Sequence, residues 1–158
     1  MSPAAETGVR VARGLAATLT CGLAGGVAVG LVARLAMRIV ALVDGRPTLF
    51  TVGGTLGILL GLTIFGLPFA GLFVLVRRHL PRGTIRKGLL FGAGLIVFPG
   101  LVFFFVVGGP ELLEIGFPPL NFLMFAALFP LFGIVVSATA AWLEARLPPP
   151  ARPIEEIL

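Results

Sequence analysis

The sequence predicts an all-α membrane protein whose four transmembrane helices form an up-down bundle. Three observations predict this fold class: 58% of the 158 residues are hydrophobic, 12% are charged, and the mean hydropathy is +1.09. Each bilayer crossing takes about 20 apolar residues, so a chain of this length accommodates about four crossings and no separate soluble domain. A water-soluble globular protein is excluded because the composition offers too few polar side chains to cover its surface.

Four uncharged runs place the predicted helices. The residues that bracket them are Arg13 and Arg34, Arg46 and Arg77, Lys87 and Glu111, and Glu114 and Glu144. A helix rises about 1.5 Å per residue, so each run is long enough to cross a hydrocarbon layer about 30 Å thick. The predicted helices are 14–33 with an apolar extension to 43, 54–76, 88–107 and 120–142. They form one transmembrane domain, 1–147, and the proline-rich stretch 148–158 is a cytoplasmic tail.

The first run has an alternative interpretation. Arg10 and Arg13 precede an apolar stretch with small residues, which is also how a cleaved signal peptide begins. This stretch extends for about 20 residues, whereas the apolar part of a signal peptide has about 7 to 15. We therefore expect the first helix to be retained.

The distribution of basic residues predicts the orientation. Nine of the 12 Lys and Arg residues lie on the side of the two termini, and the turn from Arg77 to Lys87 holds five of them. Because basic loops stay on the cytoplasmic side, we expect both termini in the cytoplasm. The net charge of +5 is divided among short segments instead of forming one continuous basic surface, so nucleic acid is not an expected partner.

Rows of small residues predict how the helices pack. Helices in lipid associate through close backbone contact, which small side chains permit. Glycines at four-residue spacing form one row in the first helix (Gly22, Gly26, Gly30) and another in the second (Gly53, Gly57, Gly61). Further rows of small residues follow at Gly88 and Gly92 and at Gly133, Ser137 and Ala141. We expect the first two rows to pack the first two helices together; homodimer formation through one of these rows is the alternative.

Three prolines fall near the middle of the second, third and fourth predicted helices, at Pro68, Pro99 and Pro130. Each lacks a backbone donor and frees a carbonyl one turn earlier, which predicts a kink. Three kinks at one depth would open a cavity at the membrane midplane, as broken helices do in transporters. The alternative is that these are tolerated membrane-helix prolines without a cavity.

The sequence offers few groups for chemistry. It holds one cysteine and one histidine, and no charged residue falls at mid-depth in a predicted helix. Hydroxyl groups within the helices, such as those of Thr20, Ser137 and Thr139, are expected to bond to their own helix. No nucleophile stands beside a base, so we predict no catalytic residue, no metal and no cofactor.

The remaining candidate site is a group of arginines at the outer end of the first helix. Arg34 and Arg38 continue the glycine row one turn apart, and Arg46 follows in the loop. Guanidinium groups bind anions through paired donors, so these residues are candidates for an anion or a lipid headgroup. Neutralisation by three outer acids is the alternative: Asp44, Glu111 and Glu114.

Three segments together resemble a known group of proteins: Arg34-Leu-Ala-Met-Arg38, Phe50-Thr-Val-Gly-Gly-Thr55 and Arg77-Arg78-His79-Leu80-Pro81. Over roughly its first half, the chain is similar to small uncharacterised four-helix membrane proteins of bacteria. The resemblance implies a location in the bacterial cytoplasmic membrane. It assigns no activity and no catalytic residue.

These observations predict a non-catalytic membrane protein with a structural or accessory role. The expected partners are membrane lipids, together with a second copy of the chain or another membrane protein. One alternative is a carrier or channel for a small or lipidic molecule that uses the proline-kinked midplane. Another is a lipid-active enzyme, which would need a base near Arg34 and Arg38 from Asp44, Glu111 or Glu114.

Overall fold

The structure, a computed structural model, describes residues 3–45, 51–97 and 118–146, and these residues form helices joined by short turns. Within these ranges there is no β-strand, which confirms the all-α prediction. Several predicted features lie outside the described residues: Arg46, Pro99, Glu111, Glu114, the second half of the third predicted helix and the tail 148–158. The four described helices are α1 (Pro3–Val43), α2 (Val52–Val76), α3 (Thr84–Leu95) and α4 (Pro118–Arg146).

The helices extend beyond the apolar runs that predicted them. α1 has 41 residues and begins at Pro3, whereas the sequence predicts a start near residue 14. Hydropathy locates only the membrane-crossing part of a helix, and proline is favoured at a first helical position. α2 begins at Val52 because Thr51 has extended backbone angles and its side-chain oxygen accepts a 3.3 Å hydrogen bond from the Gly54 amide.

Three of the described helices are long and apolar enough to cross a membrane: α1, α2 and α4. The spans are Thr7–Val43, Val52–Val76 and Leu120–Arg146. α3 has 12 described residues, about 18 Å of helix, and is too short to cross by itself. The predicted third span continues to residue 107, which lies outside the described residues.

Neighbouring helices run in opposite directions. Along α1, Gly22 meets Leu67 of α2 and Gly30 meets Leu59, so α1 and α2 are antiparallel. α4 is antiparallel to α1 as well, and α3 is antiparallel to α4, since Gly88 contacts Ile134 and Gly92 contacts Pro130. The described helices therefore have the alternating directions of an up-down arrangement.

A small apolar core lies where the four helices meet. Its largest fully buried side chains are Phe73, Val136 and Cys21. The Phe73 and Phe91 rings, from α2 and α3, pack edge to face with their centroids 5.1 Å apart. Large apolar side chains such as Ile64, which is 67% exposed, point away from this core. Such exposure suits helices surrounded by hydrocarbon chains instead of water.

Two of the three prolines that predicted kinks are described, and both lie inside continuous helices. Pro68 is in α2 and Pro130 is in α4. Pro68 is exposed, and Pro130 is half-buried where α4 meets Gly92 of α3. Neither proline ends its helix, because the surrounding residues continue the hydrogen-bonding pattern on both sides.

Candidate functional site

Contacts between the helices define two ends of the bundle. At the first, which we call the Arg77 end, α2 and α4 finish and α3 begins. There the Arg77 guanidinium pairs with the Glu144 carboxylate, and Ser137 Oγ donates a 2.8 Å hydrogen bond to the Thr84 carbonyl. At the other, the Asp44 end, α1 finishes and α2 and α4 begin.

The glycine row of α1 lies against α2. A methyl group on Gly22 would come within 2.6 Å of Leu67 Cδ2, and one on Gly30 within 2.8 Å of Leu59 Cδ2. A methyl group on Gly26 would overlap the backbone of Thr63. The α2 side chains at positions 59, 63 and 67 thus form a ridge at four-residue spacing that fills the groove on α1.

The glycine row of α2 faces elsewhere. Added methyl groups at Gly53, Gly57 and Gly61 would meet no described atom within 4 Å. Gly61 is two residues from Thr63, and two residues correspond to about 200° around a helix, so the row lies opposite the face that contacts α1. The structure therefore separates the two rows that the sequence predicts to pack against each other, because a groove fits a ridge and not a second groove.

The closest backbone contact joins α3 to α4. A methyl group on Gly88 would lie 2.6 Å from Ile134 Cα and 2.7 Å from the Gly133 carbonyl oxygen, and one on Gly92 would lie 2.6 Å from Pro130 Cα. Gly133 in turn contacts the Gly88 carbonyl. Only glycine fits at Gly88, Gly92 and Gly133, because a methyl group on any of them would lie less than 3.0 Å from the opposing backbone. In the α1 row only Gly26 comes so close, since methyl groups on Gly22 and Gly30 would lie 3.2 and 3.3 Å from backbone atoms of α2.

Hydroxyl groups mostly follow the expected pattern. Thr20, Thr55 and Thr139 donate hydrogen bonds to carbonyl oxygens four residues earlier. The expectation is wrong for Ser137, whose hydroxyl instead bonds to the Thr84 carbonyl at the start of α3. Because Gly133 lets α3 approach α4 one turn away, the Ser137 hydroxyl reaches the neighbouring helix. This side chain is 3% exposed, so the bond lies inside the interface.

The two described arginines of the candidate anion site have different surroundings. Arg34 is half-buried. One of its guanidinium nitrogens lies 3.7 Å from the point that a methyl group added to Gly54, at the start of α2, would occupy. Arg34 also has a polar or charged partner. Arg38 is exposed one turn further along α1. The structure thus places Arg34 near the start of α2. Arg46, the third member of the predicted group, lies outside the described residues.

An apolar cavity of about 260 Å³ lies between α1 and α4 at the Asp44 end. Its lining includes Ala33 and Ala41 of α1, Leu128 of α4, and two polar residues, Asp44 and Asn121. Asn121 is 5% exposed, and both polar residues have interaction partners. Ala33 is about 16 Å along α1 from Gly22, the residue that lies level with Leu67. The cavity is therefore well away from the depth of Pro68.

The sequence does not predict this cavity. Its one signal was the polar Asn121 near the end of an apolar helix, since a polar side chain there needs a partner or a polar ligand. The alanines and methionines that line it look like ordinary packing residues in a sequence.

The described residues contain no cluster of three or more His, Cys, Asp or Glu side chains that could hold a metal ion. Cys21 is a free cysteine buried in the core. Comparison with known proteins finds no matching family, no matching characterised protein and no matching solved structure.

Proposed function

We propose that this chain is a non-catalytic membrane protein with four transmembrane helices that serves as a structural or accessory subunit in the cytoplasmic membrane of a bacterium. One observation carries the proposal. The described core is filled by apolar side chains and by direct backbone contact at Gly88, Gly92 and Gly133. Its buried polar residues are Asn121 and Ser137, and each has a partner within the chain. Such a centre is suited to holding helices together.

The fourth crossing is supported by the direction of α3. α3 begins at the Arg77 end and runs antiparallel to α4, which begins at the Asp44 end. The chain between Leu95 and Pro118 has to reach the Asp44 end before α4 starts. A third crossing within residues 88–107, as the hydropathy predicts, meets this requirement.

The proposed orientation puts the Arg77 end in the cytoplasm. The cations Arg77, Arg78 and Arg82 lie in the short turn between α2 and α3, where basic residues have most influence on topology. The bacterial location rests on the resemblance of the Arg34–Arg38, Phe50–Thr55 and Arg77–Pro81 segments to small bacterial membrane proteins.

The accessory role is tested by the mass of the assembly extracted from native membranes. The tagged chain is solubilised in a mild detergent at its natural level and its mass is measured by light scattering, with the detergent contribution subtracted. An accessory subunit is expected in a defined complex that greatly exceeds the 16.5 kDa of one chain. A uniform population of single chains would contradict the role.

A carrier of a lipidic molecule is the second candidate, because the cavity at the Asp44 end favours it. Ligand pockets combine apolar walls with a few polar groups that fix orientation, and this cavity has that composition. It is slightly smaller than pockets that enclose a whole drug-sized ligand, about 300 Å³ or more, so it suits part of a hydrocarbon chain. No described contact favours the enzyme alternative, and we do not propose it.

A cavity-filling substitution tests the second candidate. Ala41→Phe would occupy the space between α1 and α4, whereas Ala127→Phe, at an exposed position of α4, provides the matched control. Mass spectrometry of the purified protein is expected to find an amphiphile with the wild type and the control but not with Ala41→Phe. Equal amounts with all three proteins would contradict the carrier.

A further inference from the structure

The Arg77 end carries cations that the described helices leave unneutralised. Arg77 is paired with Glu144, but its neighbours in the turn and in the first turn of α3 make no ion pair with any residue of the chain that the structure describes. Arg78, Arg82 and Arg86 are exposed, and Lys87 is half-buried. We call these four residues the turn cluster.

The turn cluster surrounds a helix end that favours negative charge. α3 begins after Gly83, whose φ of 110° is a backbone angle that glycine adopts readily and other residues rarely do. No side chain caps the start of the helix. The first turn of α3 contains no acidic residue. The amides at a helix start carry a partial positive charge, so Arg86 and Lys87 add to a charge of the same sign. An anion at this position would relieve the repulsion.

The position of the cluster identifies the anion. The apolar residues of α2 end at Val76, and those of α3 resume at Gly88, so the cations lie at one boundary of the apolar bundle. In a membrane this boundary is where lipid phosphates lie, and clusters of four or more Lys and Arg residues beside a transmembrane helix attract anionic lipids. The positive charge of the turn cluster complements an anionic lipid, in which no ammonium group in the headgroup balances the phosphate.

We propose that the turn cluster binds the phosphate groups of anionic membrane lipids and that this binding holds the start of α3 against α4. The link to α4 is the hydrogen bond from Ser137 Oγ to the Thr84 carbonyl, which is in the first residue of α3. A bound phosphate neutralises the adjacent cations and so stabilises that turn. The inference rests on the membrane embedding in the proposed function but not on the accessory role or the orientation.

The test compares lipid preference in two variants that lose the same charge. Arg82→Gln/Arg86→Gln/Lys87→Gln removes three cations from the turn cluster. Arg10→Gln/Arg13→Gln/Arg146→Gln removes three cations that belong neither to the turn cluster nor to the candidate site of Arg34 and Arg38. Each purified protein is titrated with phosphatidylglycerol or phosphatidylcholine in detergent, and binding is followed by native mass spectrometry.

The wild type and the control triple variant are expected to bind phosphatidylglycerol about tenfold more tightly than phosphatidylcholine. The turn-cluster variant is expected to lose this preference. Equal binding of the two lipids by the wild type would overturn the proposal, and so would an equal loss of preference in both triple variants. Failure of this test leaves the mass of the extracted complex unchanged, so it is distinguishable from failure of the proposed function.

A second variant covers the case in which the triple substitution prevents insertion. Thr84→Glu keeps every cation of the turn cluster and puts a carboxylate at the first residue of α3, where the side chain is exposed. It is expected to raise the melting temperature in phosphatidylcholine and to reduce the additional stabilisation by phosphatidylglycerol. Undiminished stabilisation by phosphatidylglycerol would contradict binding at the start of α3.

Discussion

At Gly88 and Gly133 the backbones of α3 and α4 come into direct contact, with no room for a side chain on either glycine. The sequence indicated small residues at these positions, and the spacing of four identified them as packing positions. It did not indicate that this contact would be tighter than the one between α1 and α2. How closely the two helices approach depends on the position of the opposing backbone, and the sequence of one helix does not specify that position.

We predict that Gly88→Ala destabilises the protein by about 1 to 3 kcal/mol, the usual cost of inserting an atom into a packed interface. The added methyl group would lie 2.6 Å from Ile134 Cα, so the backbone has to move. Gly94→Ala, in the same helix, is the matched control, because no described atom lies within 4 Å of its added methyl group.

Thermal unfolding in detergent tests this prediction. A thiol-reactive fluorescent dye reports the exposure of Cys21 and so gives the melting temperature. This residue is the only cysteine in the sequence and is fully buried, so its reaction follows loss of the core. Equal melting temperatures for Gly88→Ala and Gly94→Ala would contradict the predicted interface.

Ser137 carries a second residue-scale prediction. Ser137→Ala removes the hydrogen bond to the Thr84 carbonyl and is expected to cost about 0.5 to 1.5 kcal/mol. Thr139→Ala is the control, because that hydroxyl bonds to Val135 of its own helix. The same unfolding assay applies, and an effect of Thr139→Ala as large as that of Ser137→Ala would refute the role of the interhelical bond.

Among the elements, α1 and α2 show what a glycine spacing does and does not predict. Both rows were visible in the sequence, and the Gly22, Gly26 and Gly30 row lies in the α1–α2 interface. The row on α2 lies on the opposite face, because the ridge that fits the α1 groove occurs about 200° away. Spacing identifies a groove, but the choice of partner depends on which neighbouring face offers the ridge.

We predict that Gly26→Leu and Gly57→Leu differ sharply. The leucine at position 26 overlaps the Thr63 backbone, so we expect a loss of at least about 3 kcal/mol, beyond ordinary overpacking. At position 57 the leucine meets open space within the chain, and the melting temperature of the monomer should change little. A large loss at both positions would show that the α2 row is also an interface, as homodimer formation would require.

The ion pair between Arg77 and Glu144 joins the ends of α2 and α4, yet it should add little stability. The two side chains are 31% and 60% exposed, and pairs with this exposure contribute about 0 to 1 kcal/mol. A double-mutant cycle with Arg77→Gln and Glu144→Gln is expected to give a coupling energy within that range. A coupling of 2 kcal/mol or more, on the scale of a buried pair, would contradict this interpretation.

At the scale of the whole molecule, the composition and the long uncharged runs predicted an all-helical membrane protein, and the structure describes three helices that could cross a membrane. The cavity between α1 and α4 was not predictable, because it arises from the way two helix surfaces fit together. Each residue that lines it is common in packed helices and gives no signal by itself. Arg34 and Arg38 were identified as a pair from the sequence, but the position of Arg34 beside the start of α2 depends on the register of the two helices.

The proposal on which the others depend is that the chain crosses the membrane with the Arg77 end in the cytoplasm and the Asp44 end outside. Its most direct test uses single cysteines in a Cys21→Ala background, at Val43 near the Asp44 end and at Thr84 and Ala145 near the Arg77 end. A membrane-impermeant thiol reagent is added to intact bacterial cells. We expect labelling at position 43 alone, with positions 84 and 145 labelled only after the membrane is opened. Labelling at position 84 or 145 in intact cells would contradict it.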